Sequence, residues 1–232
     1  MIADARISPV SVPVGEVAVE GDVALVPEPS AVVIFAHGSG SSRHSVRNQA
    51  VARELQNAGI ATLMMDLLTP EEERVDLVSA EHRFDVDLLT TRVSGAVAWW
   101  RSDGPLPSLP IGLFGASTGA AAALAAAARR PDAVGAVVSR GGRPDLAAEA
   151  LSSVRAPTLL IVGGRDRQVI ELNRRAMERL AAPVRLELVP GATHLFEEAG
   201  ALEAVAALAR DWFLEHLTAP GHGRAAVADR GS

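Results

Sequence analysis

The stretch Ile111-Gly-Leu-Phe-Gly115-Ala-Ser117-Thr-Gly119-Ala-Ala-Ala-Ala-Leu124 decides the reading of this chain. Ile111 to Phe114 is a short apolar run of strand type, and Ala120 to Arg130 is an alanine-rich helix closed by Pro131. Between them stands Gly-x-Ser-x-Gly, in the strand–turn–helix setting that this motif needs. A serine held there sits on a turn too tight for side chains two residues before and after it, so glycine suits both places. The helix that follows points its free N–H groups toward the serine. These features single out Ser117 as a candidate nucleophile.

Outward from this turn, strand and helix signals alternate. Ala31–Ala36, Ile60–Met65, Ala133–Val138, Thr158–Val162 and Val184–Val189 read as strands. Helical spacing appears at Val51, Leu55 and Ala58, ended by Gly59. It returns from Phe84 to Trp100, from Asp145 to Leu151, at Leu172, Ala176 and Leu180, and from Leu202 to Phe213. Trp99 and Trp100 end an amphipathic helix and read as core. Val17 to Val26 reads as the end of a strand, a turn at Glu20–Gly21–Asp22 and a partner strand. A lead-in hairpin followed by such alternation predicts an α/β fold, with a mostly parallel sheet and helices on both faces. Residues 1–217 form one domain in this reading and 218–232 a flexible tail.

Composition narrows the chemistry. The 232 residues carry 22 basic and 28 acidic side chains, a net charge of −6, with no cysteine and no lysine. Cysteine nucleophiles, thiolate metal sites, Schiff bases and a phosphate-loop lysine are thereby excluded, and the acidic balance argues against nucleic acid. No metal and no cofactor are expected. Met1 to Val14 lacks a basic patch followed by an apolar run, and Ala120–Ala128 stops at Arg129–Arg130, far short of the ~20 residues a membrane span needs. The expectation is a soluble, cytoplasmic monomer or homodimer acting on a small molecule.

A serine needs a base, and function in such sheets gathers at the carboxyl ends of the strands. His82 and His216 lie in helical stretches and His222 in the tail, which leaves His37, His44 and His194 on strand-end loops. His194, in Pro190-Gly-Ala-Thr-His194, follows the last strand and can swing across the sheet. Asp166, in Gly163-Gly-Arg-Asp166, is the candidate acid that orients it. The order Ser117, Asp166, His194 is one of the known triad orders. Oxyanion donors are expected from the backbone amides of Thr118 and of Ser39, the latter in His37-Gly-Ser-Gly-Ser-Ser-Arg-His-Ser45.

Gly-Ala-Ser-Thr-Gly, Gly-Gly-Arg-Asp-Arg-Gln-Val and Pro-Gly-Ala-Thr-His together resemble the α/β-hydrolase superfamily over essentially the whole chain. Its compact size resembles the dienelactone-hydrolase-like branch. His-Gly-Ser-Gly-Ser-Ser-Arg-His-Ser is similar to small predicted hydrolases of that branch, some fused to a phosphoribosyltransferase domain that is not read in these 232 residues. Dienelactone hydrolases proper carry cysteine in the elbow, where this chain has Ser117. The resemblance implies a serine hydrolase of small carboxylic esters or lactones. A thioesterase, amidase or acyltransferase with the same triad, or a ligand-binding protein without turnover, stays open. Only Ser139 to Asp145 separates a strand from the next helix where larger relatives insert a lid domain, so no lid domain and an open mouth are expected. Arg43, Arg140 and Arg143 on strand-end loops are candidate clamps for a substrate carboxylate, or partners of loop acids such as Glu71, Glu72 and Asp66.

Overall fold

The structure, a computed structural model, describes residues 5–218. Eight strands form one sheet: β1 (Arg6–Val14), β2 (Val17–Leu25), β3 (Ala31–Ala36), β4 (Ile60–Met65), β5 (Ile111–Ala116), β6 (Val134–Arg140), β7 (Thr158–Gly163) and β8 (Val184–Val189). Their order is β1-β2-β4-β3-β5-β6-β7-β8. β1 and β2 pair antiparallel, β2 joins β4 antiparallel, and all later pairings are parallel. The helices are α1 (Val46–Asn57), α2 (Pro70–Ser79), α3 (Val86–Asp103), α4 (Thr118–Arg129), α5 (Arg167–Met177) and α6 (Ala201–Leu217).

The strand period of two divides the core. Val32, Ile34 and Ala36 face the layer of α3 and α4, while Ala31, Val33 and Phe35 face α1 and α6. β3, β5 and β7 are buried throughout, as strands covered on both faces must be. Helix α4 is buried from Thr118 to Ala127, and its alanines let it lie close against β5. Trp100 is fully buried, with its indole N–H donating to Leu106 O at 3.0 Å. Ser139 to Asp145 and the two 3₁₀ turns that follow, Pro144–Ala147 and Leu151–Ser153, leave no inserted domain after β6.

Four local expectations are corrected. Glu20–Gly21–Asp22 is no turn: β2 runs unbroken through it, and the turn lies at Gly15–Glu16, with Gly15 at φ +63°. Val19, Gly21 and Val23 are buried while Glu20 and Asp22 point outward, so the polar residues occupy one face of a continuous strand. Asp145 to Leu151 is not an α-helix but lies in the two 3₁₀ turns. The helix expected from Phe84 begins at Val86, capped by Asp85 accepting from Leu88 N–H, and Phe84 is exposed. Finally, residues 66–74, read as loop, run into α2. Thr69 and Glu72 form a reciprocal capping box ahead of Pro70. The expected tail from 219 onward lies outside the described residues.

Helix α2 is held by ion pairs rather than by apolar burial. Its buried Asp76 accepts from Arg83 Nε at 2.6 Å and from the amides of His82 and Arg83 at 2.9 and 2.8 Å. Burial alone would push Asp76 up, but these bonds outweigh it and hold the carboxyl below its ordinary value of 3.8. Arg92, buried in α3, donates to Glu72 at 2.5 Å. Removing one member of a buried pair costs about 3–5 kcal/mol. Asp76→Asn should therefore speed amide hydrogen exchange in residues 70–79 at least about a hundredfold while β5 and α4 keep their protection. Unchanged exchange in α2 would show that the helix is rooted elsewhere.

Candidate active site

Ser117 joins β5 to α4 at φ +51°, ψ −120°, a backbone conformation that costs a residue with a Cβ about 1–3 kcal/mol. Three backbone bonds hold it: its N–H donates to Arg140 O at 3.2 Å, and its carbonyl accepts from Ala120 and Arg143 at 3.1 Å each. The glycines of the motif answer to close backbone approach. A Cβ on Gly115 would lie 2.4 Å from Ala120 Cα, and one on Gly119 would lie 2.3 Å from both Ala36 O and His37 O.

Asp166 caps α5, one carboxylate oxygen accepting from Val169 N–H at 3.4 Å. Its other oxygen lies 2.8 Å from His194 Nδ1. That bond puts the proton on Nδ1 and leaves Nε2 as an acceptor. The histidine loop is set against the strand ends. A Cβ on Gly163 would meet Thr193 O at 2.4 Å, and one on Gly141, at φ +51°, would meet His194 O at 3.3 Å and His194 Cε1 at 3.5 Å. Arg140–Gly141 is thus the shared neighbour of Ser117 on one side and His194 on the other. Buried Phe196 anchors the loop from below, and Thr193 N–H donates to Glu198 at 3.0 Å.

Ser39 and Thr118 also come together, in an unforeseen way. The Ser39 amide donates to Thr118 Oγ1 at 2.9 Å. The position of that amide is governed by His37, which sequence reasoning passed over. His37 Nδ1–H donates to Gly38 O at 2.9 Å, and its Nε2 accepts from Leu67 N–H at 3.2 Å. In a trans peptide the carbonyl and N–H point opposite ways, so fixing Gly38 O aims Ser39 N–H at Thr118. A Gly38 side chain would press on Ser117 Cβ, 3.1 Å away. Next to these amides lies a cavity of about 70 Å³ with Leu67, Leu68, Leu77 and Leu89 in its walls. Leu77 belongs to α2, so the missed helix closes the side of the mouth expected to be open.

The candidate arginines fare differently. Arg43 is engaged by Asp66, by Glu20 at 2.7 Å and by Asp22 at 3.4 Å. Arg143 forks onto Asp145 at 2.9 and 2.8 Å. Arg140 is buried without a carboxylate partner. His44 is exposed, and His82 lies on the α2–α3 connection rather than in a helix. Among the described residues no cluster of histidines and carboxylates could hold a metal ion, and no helix is long and apolar enough to cross a membrane.

A model of the dienelactone hydrolase family matches residues 18–218. The chain belongs to the dienelactone hydrolase family. A crystal structure of a family member, a dienelactone hydrolase from Anabaena variabilis, is 54% identical with a TM-score of 0.90, over 92% of this chain and 99% of that one. Est1E from Butyrivibrio proteoclasticus shares the fold at 16% identity and a TM-score of 0.75, over 89% of this chain and 98% of its own. A Mycobacterium tuberculosis protein provisionally named a phosphoribosyl transferase is 56% identical over 212 residues, 91% of this chain but 47% of that protein. The chain spans about half the length of the curated relatives it matches. Family and fold support a hydrolase.

His37 adds a pH dependence to this family member. Burial drives its imidazole below the ordinary value of 6.5, outweighing the bond to Gly38 and the nearby Asp66 and Glu73 carboxylates. The folded state therefore holds the neutral ring, and the stability it contributes is complete above about pH 6.5 and is lost as pH falls toward the folded value. His37→Asn keeps a donor for Gly38 O but cannot titrate. Urea midpoints compared at about pH 7 and pH 5 should fall less in this variant than in the parent. Equal losses would mean that His37 carries no share of the acid sensitivity.

Proposed function

We propose that the chain is a serine hydrolase that cleaves a small carboxylic ester or lactone through an acyl-enzyme intermediate. The observation that carries this reading is the 2.8 Å bond from His194 Nδ1 to Asp166, in a chain whose strand β5 ends on a serine held at φ +51° in a Gly-x-Ser-x-Gly turn. Asp166 fixes the tautomer, so Nε2 takes the proton from Ser117 Oγ as that oxygen attacks the substrate carbonyl. The charge that develops on the carbonyl oxygen is met by the Thr118 amide, which has no acceptor within its own helix as the first residue of α4. The Ser39 amide is the second donor. To serve, it must exchange its bond to Thr118 Oγ1 for one to the oxyanion. The imidazolium then gives its proton to the departing alkoxide. A water molecule, deprotonated by Nε2, attacks the acyl-enzyme, and the acid leaves as Ser117 recovers its proton.

The small cavity beside Ser39 and Thr118 supports a short acyl group. A longer chain would lie partly in water and lose most of the ~0.8 kcal/mol that each buried CH₂ can supply. The name of the Mycobacterium tuberculosis relative belongs to a protein about twice as long and is not carried over.

Ser117→Ala should lower kcat on p-nitrophenyl esters by ~10⁴–10⁶ and abolish labelling by a fluorophosphonate probe, with the far-ultraviolet circular dichroism unchanged. In an acyl series from acetate to palmitate, kcat/KM should peak at about two to six carbons. Retained labelling in the alanine variant would remove Ser117 from the mechanism, and a peak at long chains would remove the short-acyl assignment.

A further inference from the structure

Helix α5 turns one polar side chain inward, and the mechanism above does not use it. Asn173 is 0% exposed, and the other buried residues of the helix are Val169, Ile170 and Ala176. Its Nδ2 donates twice, to Val169 O one turn back at 2.8 Å and to Gly142 O, 31 positions away in the chain, at 3.1 Å. Both neighbours are carbonyl oxygens, so the amide presents its NH2 to them and not its oxygen. Oδ1 is buried with no partner among the described residues. An unmet buried acceptor detracts from stability, and an apolar side chain of similar size would avoid it. What the amide supplies instead is direction, since it holds two carbonyls at fixed angles to α5.

Each carbonyl leads to a member of the candidate triad. Val169 N–H is the donor that Asp166 accepts at 3.4 Å, so the bond to Val169 O acts on the turn that the acid caps. Gly142 O shares its peptide unit with Arg143 N–H, and in a trans peptide the two point opposite ways. Holding Gly142 O toward α5 therefore aims Arg143 N–H at Ser117 O, which it reaches at 3.1 Å. The loop is confined on its other sides. Gly141 N–H donates to Ile161 O at 2.7 Å, and a Cβ on Gly142 would collide with Ser139 Oγ and lie 2.6 Å from Ala120 Cβ. The same loop passes His194, since a Cβ on Gly141 would sit 3.5 Å from His194 Cε1.

We propose that Asn173 is a positioning residue for Ser117: it holds the Gly142–Arg143 peptide against the nucleophile turn and ties that turn to the helix that Asp166 caps. The role rests on the hydrolase reading. Ser117 bears the tetrahedral intermediate in both half-reactions, so a loosened turn slows acylation and deacylation alike. Asn173 lines none of the cavity beside Ser39 and Thr118, so substrate binding does not depend on it.

Asn173→Thr separates the two bonds. A threonine hydroxyl in a helix can donate to the carbonyl one turn back but is too short to reach Gly142 O, so α5 stays closed while the loop is released. On p-nitrophenyl acetate, kcat and kcat/KM should fall together by at least about tenfold, with KM within about twofold of the parent. Amide exchange at Arg143 should quicken at least about tenfold while Leu113 in β5 keeps its protection. Asn173→Asp, which has at most one proton for two carbonyls, should move both readouts the same way, and it serves if the threonine variant does not fold. Val205→Ala, buried in α6 on the other face of the sheet, is the control: it should lower the melting temperature and leave kcat and Arg143 exchange unchanged. A variant at position 173 with parental kcat, or with parental exchange at Arg143, overturns the proposal. So does an equal loss of kcat in Val205→Ala, which would trace the effect to general loosening. If the parent cleaves no ester while Arg143 exchange still responds, the hydrolase reading falls alone and the hold of Asn173 on the turn stands.

Discussion

The backbone at Ser117 is the constraint around which the rest of the molecule is arranged. A serine at φ +51° persists only if its surroundings over-determine it. The three bonds to Arg140, Ala120 and Arg143 do so from two directions, since two of these residues come from the end of the next strand and beyond. Those bonds form only if α4 lies against the ends of β3 and β5 at backbone contact. That closeness removes every Cβ from positions 115 and 119 and favours alanine along the inner helix. The same logic extends outward. Gly38 brings the loop after β3 against Ser117, and Gly163 and Gly141 bring the histidine loop against the ends of β7 and β6. The candidate site is a set of backbone approaches first and a set of side chains second.

What the sequence made legible follows from this. Gly115, Ser117 and Gly119 could be read because the constraint acts between neighbours in the chain. Most strands could be read because burial on both faces leaves continuous apolar runs. Asp166 and His194 emerged because the strand ends limit where a partner can stand. The errors arise where a residue's meaning depends on something distant. Gly21 looked like a turn, but it is small because Leu63 and the backbone of Met64 lie within about 3 Å of where its Cβ would be. For Arg43 the sequence left a substrate clamp and a pairing with loop acids open, and while Asp66 was among those acids, Glu20 and Asp22 reach it from β2, where no local pattern points to it. His37 was one strand-end histidine among three until the fold placed Leu67 N–H against its ring. Helix α2 is a different failure. Its start signal, Thr69-Pro70-Glu71-Glu72, was local and readable, but its apolar residues fall on no inward stripe, so a search by hydrophobic period passed over it.

Arginine without lysine has a consequence for how the rim of the sheet is tied together. A guanidinium offers five donors in a plane, so one side chain can bind several acceptors at once. Arg43 spans three carboxylates on two elements, Arg83 joins the Asp76 carboxylate to that residue's own carbonyl, and Arg143 forks onto Asp145. The partly exposed pairs of Arg43 and Arg143 are geometric restraints more than sources of stability, because exposed pairs contribute ~0–1 kcal/mol, whereas the Asp76 carboxylate bound by Arg83 is buried. Arg140 stands apart: among the described residues its guanidinium has no acidic partner, and only Nη2 donates, to Asn48.

The two walls of the candidate site are consequently unequal. The wall that carries Ser117 and Thr118 is built from central strands and a helix buried from Thr118 to Ala127. The opposite wall is α2, whose single buried residue is Asp76 and whose Val75, Leu77 and Val78 are exposed. Local stability follows buried apolar contact, and by that measure α2 lies at the low end and α4 at the high end. The proposed hydrolysis, which asks for a fixed Ser117 and for entry and exit of a substrate, is served by this inequality. Ser117 stands on the densely buried side, and the wall formed by α2 carries none of Ser117, Asp166 and His194.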